Sequence, residues 1–231
     1  MKAIKLEIKG NWAQFRKAET NNNPLSHDFI TKTALIGMIG AVIGIERNDM
    51  KPLFPLLSDG LIYSVQVNNY VKKQSWGFTL RSVNHAWEKS PKQMEFIKHP
   101  HYTVLLALKN ENCKEYFNHF VSFCKDEQAC FTPVLGLHNC PAEIQFMEEG
   151  ELVEKNGKFK TRGFLTDNYQ PIMDDLTQFR IGFEKIPTYQ NDDFWNIPEK
   201  FFNVVYPSVG TMLETKGQYY EFKGKSQWCM I

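Results

Sequence analysis

Residues 11–47 read NWAQFRKAETNNNPLSHDFITKTALIGMIGAVIGIER. The stretch opens as a strand whose exit is basic, at Arg16 and Lys17, and passes through a polar loop over 19–30. It then enters a helix that Thr31 or Thr33 can cap and that Gly44 ends. Gly37, Gly40 and Gly44 stand at i, i+3 and i+7, on one helix face, and each costs about 1 kcal/mol relative to Ala. Such a bare face predicts close approach of another element to the helix backbone, here the protein's own sheet. At the helix start, Thr31, Lys32 and Thr33 gather hydroxyls, a cation and unbonded N–H groups, a ready anion site. No GxxxxGK[ST] precedes the helix, which excludes a P-loop. GMIGAVIG lies inside the helix rather than in a strand-to-helix turn, which argues against a dinucleotide. An RNA backbone is the better anion.

Working outward, residues 2–9 alternate as a strand, 61–69 and 101–109 read as the second and third strands, and 143–148 as a fourth. Residues 112–125 space Tyr116, Phe117, Phe120, Phe123 and Cys124 as a helix. The order β-α-β-β-α-β is the ferredoxin-like split motif, an α+β fold. An excursion over 68–100 separates the middle strands. The expected organisation is a domain over 1–150 with that insertion, then a small β-rich subdomain over 151–231, where short strand-like pieces surround Gly157, Gly163, Pro171, Pro187, Pro198 and Gly217.

The excursion mixes Lys72, Lys73, Arg81 and His85 with Trp76 and Trp87. Single-stranded RNA is held by cations on phosphates and aromatic faces on bases, so this mixture suits it. Gly136 and His138 belong to a turn whose N–H groups can also meet an RNA backbone. Because closure entropy grows slowly with loop length, replacing 70–98 by a short linker is expected to leave the domain folded.

The 231 residues are 42% hydrophobic and 14% aromatic, enough for a packed core. The 27 basic and 26 acidic residues nearly cancel, so any nucleic-acid surface is a local patch. MKAIKLEIKG alternates rather than forming a signal peptide, and the longest apolar run, 34–45, falls short of the roughly 20 residues of a membrane span; a cytoplasmic protein is expected. Five cysteines at irregular spacing argue against a disulfide framework. A zinc site would have to combine His119, Cys124, Cys130, His138 and Cys140 without a CxxC or HxxxH pair, so no metal or other cofactor is expected.

The stretch FRKAETNNNPLSHDFITKTALIGMIGAVIGIE resembles the N-terminal signature of family five of the CRISPR-associated proteins, the RAMP subunit that holds the 5′ handle of the guide RNA (crRNA) in Cascade. PKQMEFIKHPHYTVLLAL at 91–108 and CFTPVLGLHNCPAEIQF at 130–146 resemble that family's approach to its third strand and its turn before the fourth. The match covers residues 1–150 and is closest to the type I-B form. It implies an RRM-like, ferredoxin-like domain with a protruding thumb hairpin and a small C-terminal sheet. It also implies a non-catalytic, RNA-binding role in antiviral defence. The partners implied are the crRNA 5′ handle, the adjacent backbone RAMP subunit, the large subunit and, through the complex, target DNA.

One branch of the family, in type I-C, processes the guide precursor itself with a Tyr, Lys and His set. Metal-independent cleavage needs a base for a 2′-hydroxyl and a cation for the phosphorane. This chain offers His27, His85, His99 and His101. No Lys-His doublet is expected after the thumb, Lys98-His99 being the nearest approach before the third strand.

Overall fold

The computed structural model describes residues 1–20, 22–81, 89–172, 181–187 and 201–231, with backbone alone at 80 and 81. In chain order these form β1 (Lys2–Lys9), β2 (Trp12–Ala13), α1 (Lys32–Ile43), α2 (Arg47–Gly60), β3 (Leu61–Val67), β4 (Lys72–Arg81), β5 (Lys89–Lys98) and β6 (His101–Leu108). A short 3₁₀ turn at Glu111–Cys113 leads into α3 (Lys114–Lys125). There follow β7 (Glu143–Thr161), β8 (Leu165–Thr166), β9 (Ile181–Pro187), β10 (Phe201–Pro207), β11 (Leu213–Phe222) and β12 (Ser226–Trp228).

The alternation of β1 sends Ile4, Leu6 and Ile8 into the core. Paired positions on β6 and β3 do the same with Tyr102, Val104 and Leu106 and with Tyr63, Val65 and Val67, and the buried faces of α1 and α3 close over them. All pairs are antiparallel, in the order β12-β11-β7-β1-β6-β3. The sheet curls. Beyond β12, Ile231 exchanges both backbone hydrogen bonds with Tyr63 of β3, at 2.9 and 3.1 Å, bringing the far edge round to the near one. Inside the curl, Ala3, Ile62, Leu105, Ala107, Leu152, Phe222 and Trp228 form a second core.

The expected helices and strands are present, with two differences. α2 is additional, although it contains Pro52 and Pro55. Each proline withholds a donor from the carbonyl four residues back, and those residues, Asn48 and Lys51, are exposed to water. The helix still buries Phe54 and Leu57. The fourth strand runs to Thr161 rather than ending at 148; its second half leaves β1 and pairs with β11.

The glycines of α1 also differ from expectation. Thr31 caps the helix by accepting from the Ala34 N–H, and Gly44 ends it in the left-handed region at φ 81°. Gly40 faces Met50 of α2, not the sheet, and a Cβ there would overlap the thioether. Gly37 is exposed with open space above it. Three glycines on one face thus serve a helix contact, a helix end and an open surface.

The segment between β3 and β6 is a hairpin, β4 pairing with β5 from Lys72↔Lys98 to Arg81↔Lys89. Its base belongs to the core, contrary to the expectation that it can be cut away. Phe96 and Ile97 are 1% and 2% exposed. Trp76 lies 4.4 Å from Trp12 and 5.0 Å from Phe96, ring centre to ring centre. Replacing 70–98 would remove both buried side chains. Among the described residues no helix is long and apolar enough to cross a membrane. All five cysteines are free thiols, and four are buried.

Candidate nucleic-acid interface

The hairpin base carries cations of two kinds. Lys72 and Lys98 stand opposite each other and both are exposed. Like charges directly across a strand pair repel, and an anion between them would relieve that repulsion. Lys73 points the other way. Its Nζ lies 2.8 Å from Asp28 Oδ1 and 3.2 Å from Glu95 Oε1, and donates to the Ser26 carbonyl at 2.7 Å. Burial works against the Lys73 charge, but these two carboxylates outweigh it and raise the amine's pKa. Trp76 lies on the hairpin face that packs against Trp12 and is half-buried. Arg81 is described in its backbone alone; His85 and Trp87 lie outside the described residues.

Arg16 is exposed, its Nε donating to the Thr20 carbonyl at 3.3 Å. Lys17 is drawn inward to Glu184, 3.1 Å away. The Glu184 carboxylate is 2% exposed and also accepts from His27 Nδ1 at 3.0 Å and from the Asp28 N–H at 3.2 Å. Burial pushes its pKa up, but the His27 bond and charge and the Lys17 ammonium overcome that and hold it near about 2. The carboxylate is therefore ionised, and His27 Nδ1 carries the donated proton. Tyr206 donates to Asp28 Oδ2 at 2.5 Å. One network thereby joins the loop before α1, the hairpin base and the sheet β8-β10-β9.

The start of α1 is a separate place. Thr31 is buried, and its Oγ1 is shared between the Ala34 N–H and the Thr33 hydroxyl. Burial, followed by the charge of Lys109 and opposed by Asp59, lowers the Lys32 amine to about 8. Tyr63 is fully buried, with its hydroxyl beside the Lys32 N–H. Asp59 precedes β3 and Lys109 follows β6, so Lys32 is directed to the end of those strands opposite the hairpin.

Gly136 adopts φ 93°, and a Cβ on it would overlap the Gln14 carbonyl oxygen. That turn is shaped by close packing on residues 14–15, with the Gln14 N–H donating to Leu135. His138 beside it is exposed. The expected cations whose side chains are described thus differ in setting: Arg16 and Lys72 are exposed, Lys17 and Lys73 are paired internally, and Lys32 stands at the start of α1. The carboxylates that occupy Lys17 and Lys73 escaped sequence reasoning. Glu184 is 167 positions from Lys17, and nothing local signals such a pairing.

The Lys98-His99 pair expected before the third strand lies at the end of the hairpin. Lys98 ends β5, and His99 is exposed in the left-handed region at φ 48°. Asn69 Nδ2 donates to the His99 carbonyl at 3.2 Å, which draws the two ends of the hairpin together beside Tyr70, itself 64% exposed.

A protein-family model described as CRISPR-associated protein (Cas_Cas5) matches residues 3–205. No curated protein matches the chain. Among solved structures, a CRISPR protein from Archaeoglobus fulgidus is similar over 98% of this chain and 98% of its own, with 16% identity and a TM-score of 0.64. A chain from a CRISPR RNA-guided surveillance complex is similar over 92% of this chain and 91% of its own, with 12% identity and a TM-score of 0.52. At these identities the likeness is one of fold.

Proposed function

The chain belongs to the CRISPR-associated protein (Cas_Cas5) family, and we propose that it is a non-catalytic RNA-binding subunit of a type I CRISPR Cascade. In this reading it grips the 5′ handle of the crRNA, caps the backbone filament and contacts the adjacent RAMP subunit and the large subunit; the sequence is closest to type I-B. The observation that carries the reading is the family match over residues 3–205. Three features support it. The strands expected as second, third and fourth order with the first as fourth-first-third-second, all antiparallel, as a ferredoxin-like domain requires. A hairpin with exposed Lys72 and Lys98 interrupts that domain. A chain of similar fold belongs to an RNA-guided surveillance complex.

The test is repeat RNA binding by the purified protein across a salt series. Replacing Arg16 and Lys32 together by Ala should weaken binding and flatten the log–log salt slope, because fewer counterions are released. An unchanged slope would remove these two residues from the interface.

The Lys98-His99 doublet at the hairpin's end, with Tyr70 near it, favours one second reading: metal-independent processing of the crRNA precursor. Repeat RNA incubated with the protein in EDTA separates the two. Binding alone leaves the RNA intact over hours. Cleavage at one site that disappears in His99→Ala would establish the nuclease.

A further inference from the structure

The outer face of the sheet β8-β10-β9 has a composition that the ion-pair network does not explain. Register puts Phe183 opposite Val205 and Lys185 opposite Asn203, and Phe183 and Lys185 are two apart on β9, so they share one face. Asp167, one residue past β8, donates its N–H to the Asn203 carbonyl. One row across the sheet therefore reads Asp167, Asn203, Lys185. Phe183 is 73% exposed, the largest exposure of any large apolar side chain among the described residues. Lys185 holds its ammonium 4.5 Å from the centre of the Phe201 ring. A cavity of about 490 Å³ opens over this face, with Tyr169 and Lys17 also on its walls.

We infer that this face binds one unpaired nucleotide of an RNA strand, its base lying on Phe183 and its phosphate at Lys185. An exposed ring beside a cation on an open sheet face is the combination on which single-stranded bases stack. The polar groups are arranged by sign from one end to the other. Asp167 Oδ2 accepts from the Asn203 amide at 3.0 Å, which leaves Asp167 Oδ1 and Asn203 Oδ1 as acceptors for the amino and imino hydrogens of a base. Lys185 supplies the opposite charge at the other end. Lys17 is already paired with Glu184, so among the described residues lining the cavity Lys185 is the cation without a carboxylate partner, which suits one phosphate. A protein segment would cover the ring without needing this separation of acceptors from cation.

The inference rests on the RNA-binding reading above, and its test keeps the two apart. The full chain is bound to the repeat RNA of its own locus, carrying 4-thiouridine at single positions, then irradiated, and the cross-linked peptide is identified by mass spectrometry. Affinity is measured in parallel for Phe183→Ala, Phe183→Tyr and Lys185→Gln. The expected result is a cross-link within residues 181–187, about tenfold weaker binding by Phe183→Ala, and near-normal binding by Phe183→Tyr. Lys185→Gln should lower the salt slope by about 0.7, the value of one phosphate contact on a single strand. If wild type binds RNA but Phe183→Ala binds within twofold of it, with cross-links confined to other residues, the inference is wrong and the RNA-binding reading stands. If wild type binds no RNA, both fail. Protection of Phe183 from hydroxyl radicals by a protein subunit without RNA would overturn the inference in favour of a protein interface.

Discussion

Lys73 Nζ stands 2.8 Å from Asp28 Oδ1 and so fastens the hairpin to the loop that leads into α1. Its neighbour Lys72 faces water opposite Lys98. Strand alternation divides two adjacent lysines between an internal bond and a solvent surface. The same alternation gives them different consequences when mutated.

Lys73→Met should destabilise the fold by about 1–2 kcal/mol. It strands Asp28 and Glu95 near each other with less compensation, while part of their exposure to water softens the loss. Lys72→Met should leave stability within about 0.5 kcal/mol of wild type and weaken RNA binding. Urea unfolding, with the midpoint shifting at constant slope, checks the first. A Lys73→Met protein as stable as wild type would show the ion pairs to be energetically idle.

Much of this arrangement was legible before the structure, where the signal was local. Thr31 and Gly44 mark the ends of α1 because a side-chain cap and a left-handed residue are decided within a few positions. Helix α2 was hidden by Pro52 and Pro55, which read as breakers and are tolerated because the carbonyls they leave without a donor belong to the exposed residues Asn48 and Lys51. The extension of β7 to Thr161 was hidden for another reason: its partner β11 lies more than 50 residues on, and its side chains there are mostly exposed, so no apolar stripe marks it. The aromatic residues of the hairpin suggested a projecting arm. Trp76 and Phe96 instead pack with Trp12, a contact that sequence periodicity cannot disclose.

Two glycine substitutions should act in opposite directions. Gly37→Ala places its methyl in open space on a helix and should stabilise by about 0.5–1 kcal/mol through propensity and the unfolded-state entropy. Gly136→Ala meets both a left-handed backbone and the Gln14 carbonyl, and should cost more than about 2 kcal/mol. Thermal midpoints of the two variants should bracket wild type. If Gly136→Ala melts with wild type, the turn is not held by this packing.

Stability should fall in acid through Glu184. Its carboxyl is lowered from 4.5 to about 2 in the folded chain. Between those values the unfolded state binds more protons, so its contribution is complete above about pH 4.5 and is lost as pH falls towards 2. At about 1.4 kcal/mol per pKa unit, a shift of this size corresponds to roughly 3 kcal/mol. Glu184→Gln should remove that part of the acid sensitivity and lower stability at pH 7, because Lys17 and His27 lose their shared negative charge. Urea midpoints from pH 7 to pH 3 test this; parallel pH profiles for wild type and Glu184→Gln would refute the linkage.

Lys32 is shifted in the same direction as Glu184, but for an amine this disfavours the charged form, and its titration offers a direct test of the proposed phosphate contact at the start of α1. Its amine falls from 10.5 to about 8 on folding, because burial and then Lys109 disfavour the charge while Asp59 only partly restores it. Between pH 8 and 10.5 the unfolded chain binds more protons, so this residue's contribution to stability rises with pH, and Lys32→Met should be more stable than wild type at pH 7. A phosphate seated at Lys32 requires the charged amine. RNA affinity at constant ionic strength should therefore be level below about pH 8 and decline above it, by at most tenfold per pH unit. Lys32→Arg, charged throughout, should bind without that decline, and Lys32→Met should bind more weakly at pH 7. Fluorescence anisotropy from pH 7 to 9.5 makes the measurement. Wild-type affinity that declines no more than that of Lys32→Arg would mean that the ammonium does not touch the RNA, and that the start of α1 serves the fold alone.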